Sequence, residues 1–524
     1  MTHKNRLIIA SLLLFGAMLA VYSNHWHNGF HDDDWHTITS NAFIRSLNNI
    51  PLFFSDVTTS SVVPPNRAYR PVVSTSLAID YTLAYHFTGD GLNIFWFHFS
   101  TFLLFLVQGI LLFFLFRKIF EIVREHTSGK SGNTDARNSN TLDWVAFITT
   151  SLYMLHPAQA QTINYVIARS DSLSTFFLLL GFVAYQYFPA KRKYYLYLIP
   201  VAIGCLAKAT ALMFAPMLLI YIVLFEQKLP LLDRKWIRWS AIKSAIVPSF
   251  VVAIILYYFM HRMEAGYYSP GGSSLFHYVI TEPFVYLHYL TNFLLPLHFS
   301  AEWDWMPFES VTDLRCITGF LFLAALLWGM LYSSKFEKWR PVSFGIAWFL
   351  IALIPTTFVP LADVMNDHRV FFPYIGLSLA VVWTIYLAIW PIFEQAPRPA
   401  MVILLIAILC GFGYQTYERN EVWRTDESLW KEVTIESPTH GRGLMLYGLA
   451  FMARGSYDTA EYYFGEGLKY WPHYSILYIN MGIAKGATGD VAGADQNFQK
   501  AIQMSPSDPS VYYPYAQFLS KHGK

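Results

Sequence analysis

The sequence predicts an all-α protein, in which a polytopic bundle of membrane helices is followed by a tetratricopeptide-type α-solenoid. Three observations predict this fold class. The first is composition: 54% of the 524 residues are hydrophobic and only 14% are charged, whereas soluble domains carry about 25% charged residues. The second is a series of apolar runs, several of them near the roughly 20 residues that one bilayer crossing needs. The third is a 34-residue repeat in the C-terminal tail.

Eleven apolar runs are expected to form the membrane helices. The first follows Lys4 and Arg6 and could be taken for a signal peptide. It lacks a small-x-small cleavage site and many more spans follow, so we expect an uncleaved helix. Two of the runs, 143–156 and 194–207, are short for a full crossing. The expected spans are 7–23, 94–116, 143–156, 163–188, 194–207, 209–226, 241–260, 313–333, 341–359, 372–390 and 400–417.

The distribution of Lys and Arg predicts the orientation. The loops on the side of the N-terminus are rich in both residues, and the opposite loops are long but poor in them, which is the positive-inside pattern. We therefore expect a cytoplasmic N-terminus and a large first loop, 24–93, on the outer side. An odd number of spans places the tail on that side too. The formal net charge of +2 provides no basic face for a nucleic-acid partner.

The tail contains the repeat. A 34-residue period with small and aromatic residues at these offsets is typical of tetratricopeptide units, each of which is a closely packed helix pair. We expect a membrane domain over 1–417 and a tail domain over 418–524, with repeats at 441–474 and 475–508 and a partial, capping unit at 509–524. The residues that recur are Gly448 and Gly482, Ala460 and Ala494, Phe464 and Phe498, and Pro472 and Pro506.

Ionisable residues gather at the outer ends of the predicted spans, where charge is costly and is often functional. An Asp can serve as general base for a hydroxyl nucleophile, and Arg, Lys and His can stabilise a departing phosphate. Such a site beside lipid is suited to glycosyl transfer from a lipid-phosphate-linked donor. Each residue also has a structural alternative: a helix cap for one of the Asp residues, a filled polar gap for His156, snorkelling for Lys208, and a mutual bridge for Arg169 and Asp171.

Several motifs resemble one family. "FHDDDWHTITSN" is similar to the first-loop motif of the transmembrane and tetratricopeptide-repeat-containing O-mannosyltransferases and their bacterial relatives, with Phe30, Asp33, Asp34, Ile38 and Asn41 in register. The resemblance continues, in the same order, over nearly the whole chain. The further segments are "AYRPVVSTSLAIDY", "HPAQAQTINYVIARSDSL", "LAKATALMFAP", "FLLPLHFSAEWDW", "ADVMNDHRVFFPYIGLSL" and "RNEVWRTDESLW".

The resemblance implies a GT-C-type fold, a polyprenyl-phosphate sugar as donor, and a base from the first loop. By register, Asp33 and Asp34 are the catalytic candidates, and Asp33 is the preferred base. The chain departs from the family pattern at Gln161 and Ala209, where acidic residues are usual. The candidates for the donor phosphate and lipid are Arg369, His368, Lys208, Arg70, His156 and Arg169, and those for acceptor or sugar contacts are Trp35, Tyr69, Asp304 and Asp367.

The resulting hypothesis is an inverting glycosyltransferase of the bacterial inner membrane, with its site and tail in the periplasm. It would move a sugar, mannose by the resemblance, to Ser or Thr of a translocated protein held by the tail. The sequence leaves open whether Asp33 and Asp34 bind Mg²⁺ or Mn²⁺, and no other cofactor is expected. Two alternatives remain: a lipid or polysaccharide acceptor, and a non-enzymatic scaffold for envelope assembly. A transporter is disfavoured because the ionisable groups gather at one face rather than at the midplane.

Overall fold

The computed structural model describes residues 2–127, 136–233, 239–263, 274–361, 363–393 and 398–522. Within these ranges the regular structure is helical and no strand occurs, so the predicted all-α class is confirmed. The chain divides into two compact units. The membrane unit comprises Met1–Leu297, Pro307–Val364 and His368–Glu421, and the repeat unit comprises His298–Met306, Met365–Asp367 and Val422–Lys524.

The membrane unit is built from long apolar helices joined by short turns and by one large folded loop. That loop contains a short helix, α2, and a longer helix, α3, which begins at a proline directly after Arg70. The α-helices are α1 His3–Val21, α2 Ile50–Ser55, α3 Pro71–Thr88, α4 Ile94–Thr127, α5 Ala136–Leu155, α6 Gln159–Asn164, α7 Arg169–Tyr187, α8 Leu198–Cys205, α9 Phe214–Tyr221, α10 Trp239–Met263, α11 Leu275–Leu294, α12 Leu314–Ser334, α13 Arg340–Phe358, α14 Pro373–Phe393 and α15 Arg398–Val422.

In the described part of the chain, seven helical segments are long and apolar enough to cross a membrane, so the chain is a multi-pass membrane protein. Each coincides with a predicted span. Of the other four predicted spans, run 194–207 contains only the eight-residue α8, and run 143–156 is the C-terminal part of α5. Runs 372–390 and 400–417 coincide with α14 and α15, some of whose side chains lie outside the described part of the chain, and both stay predictions. The parity of the spans, and with it the side of the tail, stays a prediction. The seven are His3–Val21, Ile94–Glu125, Val166–Tyr187, Ala209–Glu226, Ala245–Met263, Leu314–Ser334 and Glu337–Phe358.

One buried apolar cluster fixes the first loop to the helices around it. Burial of such side chains stabilises the fold by roughly 1.5–3 kcal/mol each. The cluster joins the loop to α3, to the start of α4 and to the two turns that precede Arg169 and Lys208. Its members are Ile38, Ile44, Phe53, Val73, Leu77, Ala78, Phe97, Val166 and Ala207, all at most 2% exposed.

A buried triad of asparagines ties three distant parts of the membrane unit together. The Asn28 side-chain amide donates to Asn164 Oδ1 at 2.6 Å, and Asn164 in turn donates to Asn420 Oδ1 at 2.7 Å. The three residues lie at the start of the first loop, in α6 and near the end of α15, and none is more than 1% exposed. Because buried amides need partners, this network fixes the last membrane-unit helix against the loop.

The repeat unit contains two successive helix pairs. Helices α17 and α19 begin at 441 and 475, and α18 and α20 at 457 and 491, so 34 residues separate each pair of equivalents. A Cβ on Gly448 would lie 2.6 Å from Phe464, and one on Gly482 would lie 3.1 Å from Phe498. The recurring glycines therefore admit the recurring phenylalanines. The helices are α16 Asp426–Glu436, α17 Gly441–Ala453, α18 Tyr457–Tyr470, α19 Ser475–Thr488, α20 Val491–Met504 and α21 Tyr512–Lys521.

Candidate active site

Asp34 is an internal anchor of the first loop. Its side chain is 0% exposed, one carboxylate oxygen accepts the His31 N–H at 3.1 Å, and the other accepts the Ile167 N–H at 2.9 Å. Burial raises the pKa of this carboxyl to about 7, against the opposing effect of these backbone hydrogen bonds. Because both oxygens are engaged by the main chain, Asp34 is poorly placed to accept a proton from a substrate.

Asp33, unlike the buried Asp34, is accessible, because its side chain is 46% exposed. One carboxylate oxygen lies 3.0 Å from His36 Nε2 and 3.4 Å from the Asn66 amide nitrogen, which donates to it. His36 is itself buried, with its Nδ1 2.9 Å from Ser61 Oγ. The Asp33 N–H donates to the Tyr165 hydroxyl at 3.1 Å. Asp33 is therefore oriented by its neighbours and still accessible to a substrate.

Asp32 forms the turn that directly precedes the exposed Asp33 and the buried Asp34. Its φ of +43° lies in the left-handed region, which is uncommon for a residue other than glycine. The next residue after the carboxylates, Trp35, is 54% exposed and packs edge-to-face against His36 with the ring centroids 5.6 Å apart. Trp35 thus presents an accessible aromatic surface beside Asp33.

Lys208 is held by a carboxylate rather than exposed at a helix end. Its Nζ lies 2.7 and 2.8 Å from the two oxygens of Asp171, and its side chain is 21% exposed. The structural alternative of a mutual bridge between Arg169 and Asp171 is not found. Instead Asp171 pairs with Lys208, and Arg169 pairs with Asp80 of α3.

Three cations gather around His368. Burial and the charges of Lys208, Arg369 and Arg70 together lower the pKa of the His368 imidazole well below its usual range. The same two arginines also act on the Lys208 ammonium. Four of the predicted donor-phosphate residues, which come from three separate loops, are therefore brought together, and we call Arg70, Lys208, His368 and Arg369 the cation cluster.

The cation cluster retains hydrogen-bond donors that have no acceptor. Arg369 donates to the carbonyl oxygens of Val364 and Asp363 at 2.8 and 2.6 Å, but its Nε is buried and has no partner in the described part of the chain. Two carboxylates, Asp363 and Glu282, act electrostatically on Arg369. The Arg70 guanidinium is half-buried. It makes no ion pair and no hydrogen bond with any residue that the structure describes.

An arginine with no counter-ion beside two further cations repels them, and this repulsion is relieved when an anion binds. Guanidinium groups bind phosphate with a forked geometry. The cation cluster is therefore suited to a phosphate group.

Two predicted donor-site residues have other roles. His156 is 0% exposed; its Nε2 lies 3.1 Å from the Phe293 carbonyl oxygen and its Nδ1 accepts the Ala158 N–H. Its ring stacks on Phe293 at 5.2 Å. Arg169 is 3% exposed, pairs with Asp80, and donates to the Phe97 carbonyl oxygen at 2.9 Å. Both side chains are occupied in joining helices, so neither is brought to the cation cluster.

The predicted acceptor contacts are divided between the two units. Tyr69 is 2% exposed, and its hydroxyl donates to the Phe54 carbonyl oxygen at 2.8 Å within the first loop. Asp304 and Asp367 belong to the repeat unit. Asp304 accepts hydrogen bonds from the N–H and hydroxyl of Thr439 at 3.2 and 2.7 Å. Trp35 alone among these candidates is exposed next to Asp33.

Asp367 stabilises a loop–loop contact inside the repeat unit. It is 2% exposed and accepts the Ser300 N–H at 2.8 Å and the Trp303 indole N–H at 3.2 Å. Nearby, Glu302 pairs with Arg442 and lies 3.4 Å from His440. These contacts attach the segment His298–Met306 to the helices of the unit.

Sequence reasoning missed the partners of these residues. His36 is not among the predicted site residues, yet it is buried and orients Asp33. Asp80 was not singled out, although a lone carboxylate in an otherwise apolar helix requires a cationic partner. That rule could have predicted its pairing with Arg169. The same rule applies to Glu282, the lone carboxylate of α11, which is 2% exposed and acts on Arg369.

The carboxylates of the first loop do not have the geometry of a divalent-metal site. Mg²⁺ requires several oxygen ligands in near-octahedral geometry, but both oxygens of Asp34 accept backbone N–H groups. In the described ranges no group of three His, Cys, Asp or Glu side chains is arranged to hold a metal ion. We therefore derive no step through a metal.

Comparison with known proteins finds relatives over nearly the whole chain. Protein O-mannosyl-transferase Tmtc3 of Drosophila melanogaster is 22% identical over 586 aligned positions, covering 99% of this chain and 61% of that protein. Protein O-mannosyl-transferase TMTC1 of Homo sapiens is 21% identical, covering 90% and 56%. The chain thus spans about three-fifths of the length of these relatives. No family model and no solved structure matches. The resemblance inferred from the motifs is confirmed.

Proposed function

We propose that the chain is a membrane glycosyltransferase that moves a sugar from a polyprenyl-phosphate donor to a hydroxyl group of a protein. The relatives are named protein O-mannosyl-transferases, which favours mannose as the sugar and Ser or Thr as the acceptor. The observation that carries the proposal is the cation cluster, in which Arg70 has no counter-ion among the described residues, in the same unit as the accessible carboxylate of Asp33.

The positions of Asp33 and of the cation cluster support a single reaction centre. Asp34, next to the base, is bonded to Ile167, and Asp171, the partner of Lys208, follows four residues later. Four residues of helix, here partly 3₁₀ and partly α, advance by about 6–8 Å. The shared apolar cluster also contains Ala207, adjacent to Lys208, and Val73, three residues after Arg70. Base and cations are therefore attached to one packed region.

The proposed reaction is a single displacement with inversion. Asp33 takes the proton from the acceptor hydroxyl as its oxygen attacks the anomeric carbon. The bond from that carbon to the phosphate oxygen breaks, and the polyprenyl phosphate departs with the bonding electrons toward Arg70, Lys208 and Arg369. Positively charged donors aimed at the developing negative charge lower the barrier. One carboxylate is sufficient because no covalent intermediate forms.

In the proposed arrangement the site and the repeat unit face the outer side of a cytoplasmic membrane, and the repeat unit holds the acceptor protein. The paired helices Gly441–Ala453 and Tyr457–Tyr470 are of the kind that stack into a peptide-binding solenoid.

The test is transfer of mannose from polyprenyl-phosphate mannose to a Ser/Thr-rich peptide by the purified full chain. Asp33→Asn should lower the rate by about 10²–10⁴-fold, the usual contribution of a general base, and leave donor binding intact. Arg70→Gln should weaken donor binding. Asp56→Asn and Arg45→Gln, in the same loop, are the matched controls and should behave as wild type.

Full transfer by Asp33→Asn would refute the base assignment. If donor binding is unchanged in Arg70→Gln, the phosphate assignment is wrong. Mass spectrometry of envelope proteins from a deletion strain separates protein acceptors from lipid or polysaccharide ones. A scaffold would tolerate loss of Asp33 and fail only when the repeat unit is deleted.

A further inference from the structure

A separate cleft opens where α3 ends and α4 begins. It has a volume of about 780 Å³ and is broadly open to its surroundings, with Phe87, Thr88 and Asp90 of its lining exposed. One wall is aromatic: the rings of Phe87 and Trp96 stack with centroids 4.7 Å apart and planes 14° from parallel. The polar lining includes His27, Asp90 and Asn93. None of the predicted donor or catalytic residues lines this cleft.

Asp90 gives the cleft its charge. One of its carboxylate oxygens accepts the Leu92 N–H at 2.9 Å, which fixes the side chain in the turn. No hydrogen bond to the second oxygen, and no ion pair to Asp90, is found in the described part of the chain. Of the lining residues, Asp90 alone carries a carboxylate, and no Lys or Arg is among them. The cleft therefore has the charge and the aromatic faces that recognise an organic ammonium group.

The cleft lies at one end of a membrane-spanning helix, because the apolar segment Ile94–Glu125 begins at its edge. An exposed apolar stripe leads to it along α3, formed by Ile79, Leu83 and Phe87, which are 44%, 37% and 61% exposed. These residues are four apart and so share one helix face. The opposite face of α3 is packed in the apolar cluster through Val73, Leu77 and Ala78, so this stripe is the face of α3 that is left to solvent or lipid. The stripe gives acyl chains a surface that ends at the cleft.

The start of α4 contributes an anion-binding element. The first N–H groups of a helix have no intrahelical acceptor and attract phosphate. The Asn93 side chain, which lies next to this helix start, has no hydrogen bond to any described residue. Ammonium recognition at Asp90 and phosphate recognition at the helix start are therefore adjacent, as they are in a zwitterionic lipid headgroup.

We propose that this cleft is a binding site for an amine-bearing phospholipid of the phosphatidylethanolamine class. The ammonium group donates to the Asp90 carboxylate and lies against the Trp96 and Phe87 rings. The phosphate lies at the start of α4 beside Asn93. The acyl chains follow the stripe on α3. The site is independent of the sugar-transfer chemistry proposed above.

The test is native mass spectrometry of the full chain in detergent, with phosphatidylethanolamine or phosphatidylglycerol of identical acyl chains added at equal concentration. Wild type should retain phosphatidylethanolamine about tenfold better, since a charge-assisted contact and a cation–π contact each contribute to the preference. Asp90→Asn and Trp96→Leu should each abolish it. Glu309→Gln and Trp328→Leu are the matched controls: both residues are exposed, lie outside the cleft, and should preserve the preference.

Equal retention of the two lipids by wild type would overturn the proposal, and so would an undiminished preference in both cleft variants. If a soluble maltose oligomer is retained by wild type and lost in Asp90→Asn while lipid retention is unaffected, the cleft binds a glycan and the lipid assignment is wrong. None of these readouts depends on transfer activity.

Discussion

Replacing each of the two first-loop carboxylates by an amide should separate stability from catalysis. In Asp34→Asn the new amide group faces either the His31 or the Ile167 N–H, and one buried donor loses its acceptor. That loss costs about 1–3 kcal/mol. In Asp33→Asn the affected contact is a half-exposed pair with His36, worth about 0–1 kcal/mol. We therefore expect Asp34→Asn to lower the Tm by several degrees and Asp33→Asn to leave it nearly unchanged.

The contribution of Asp34 to the stability of the folded chain should also depend on pH. Its pKa is about 7 in the folded chain and about 3.9 in an unfolded chain. Because the folded pKa is raised, the contribution of this carboxyl to stability is fully present below about pH 4 and is lost as pH rises through 7, by about 4 kcal/mol in total. Asp34→Asn lacks this titration. The Tm difference between wild type and the variant should therefore shrink from pH 5 to pH 7 and level off above pH 8.

The assay is thermal unfolding of the full chain in detergent at one heating rate, with wild type and both variants measured at pH 5, 6, 7 and 8. A fixed rate matters because unfolding of a large membrane protein is often irreversible. Two results would refute the reasoning: an Asp33→Asn variant destabilised as much as Asp34→Asn, or a wild-type advantage over Asp34→Asn that does not vary with pH.

Three further predictions test the scaffold. Arg169→Gln should leave Asp80 buried without its cation and cost about 3–5 kcal/mol, seen as loss of monodisperse protein on size-exclusion chromatography; a normal profile would contradict it. Gly448→Ala should destabilise the repeat unit by about 1–3 kcal/mol, because its Cβ would lie 2.6 Å from the Phe464 ring. Gly482→Ala should destabilise it less, because its Cβ would lie 3.1 Å from the Phe498 ring. Proteolysis of the full chain should therefore be faster for Gly448→Ala than for Gly482→Ala. Asn164→Ala should remove one acceptor of the Asn28 amide and the donor to Asn420 Oδ1, while the Asn28 bond to the Asn420 carbonyl remains, and it should lower the Tm by several degrees. Asn497→Ala, whose side chain makes one local contact, should not.

The features that could be predicted from the sequence are those encoded by local patterns. Apolar runs of sufficient length identified the seven membrane-spanning segments, because the bilayer imposes that length. The 34-residue period identified the helix pairs, since the positions of Gly448 and Phe464 follow from one packing requirement repeated along the chain. The chemical type of the site, carboxylates with cations, also followed from residue types and their place between spans.

The features that could not be predicted depend on contacts between distant residues. Asp33 and Asp34 are chemically identical neighbours, and what distinguishes them is an N–H on Ile167, 133 positions away. The pairing of Lys208 with Asp171, rather than Arg169 with Asp171, is likewise decided by how α3 and α7 pack. The side of the tail rested on a count of eleven spans, and that count depends on helices such as α8, whose length is set by tertiary packing.

The segment from Ile167 to Asp171 explains why buried residues that contact no substrate still matter for the proposed chemistry. Ile167 holds Asp34 beside the base, and Asp171 holds Lys208 of the cation cluster. Arg169, between them, binds Asp80 of α3, the helix that begins directly after Arg70. One helical turn thus holds the neighbour of the base, the lysine, and the helix that follows Arg70, through hydrogen bonds and ion pairs. Precise separation of a base from a leaving group requires such rigid support, and in the proposed mechanism Arg169 is a positioning residue.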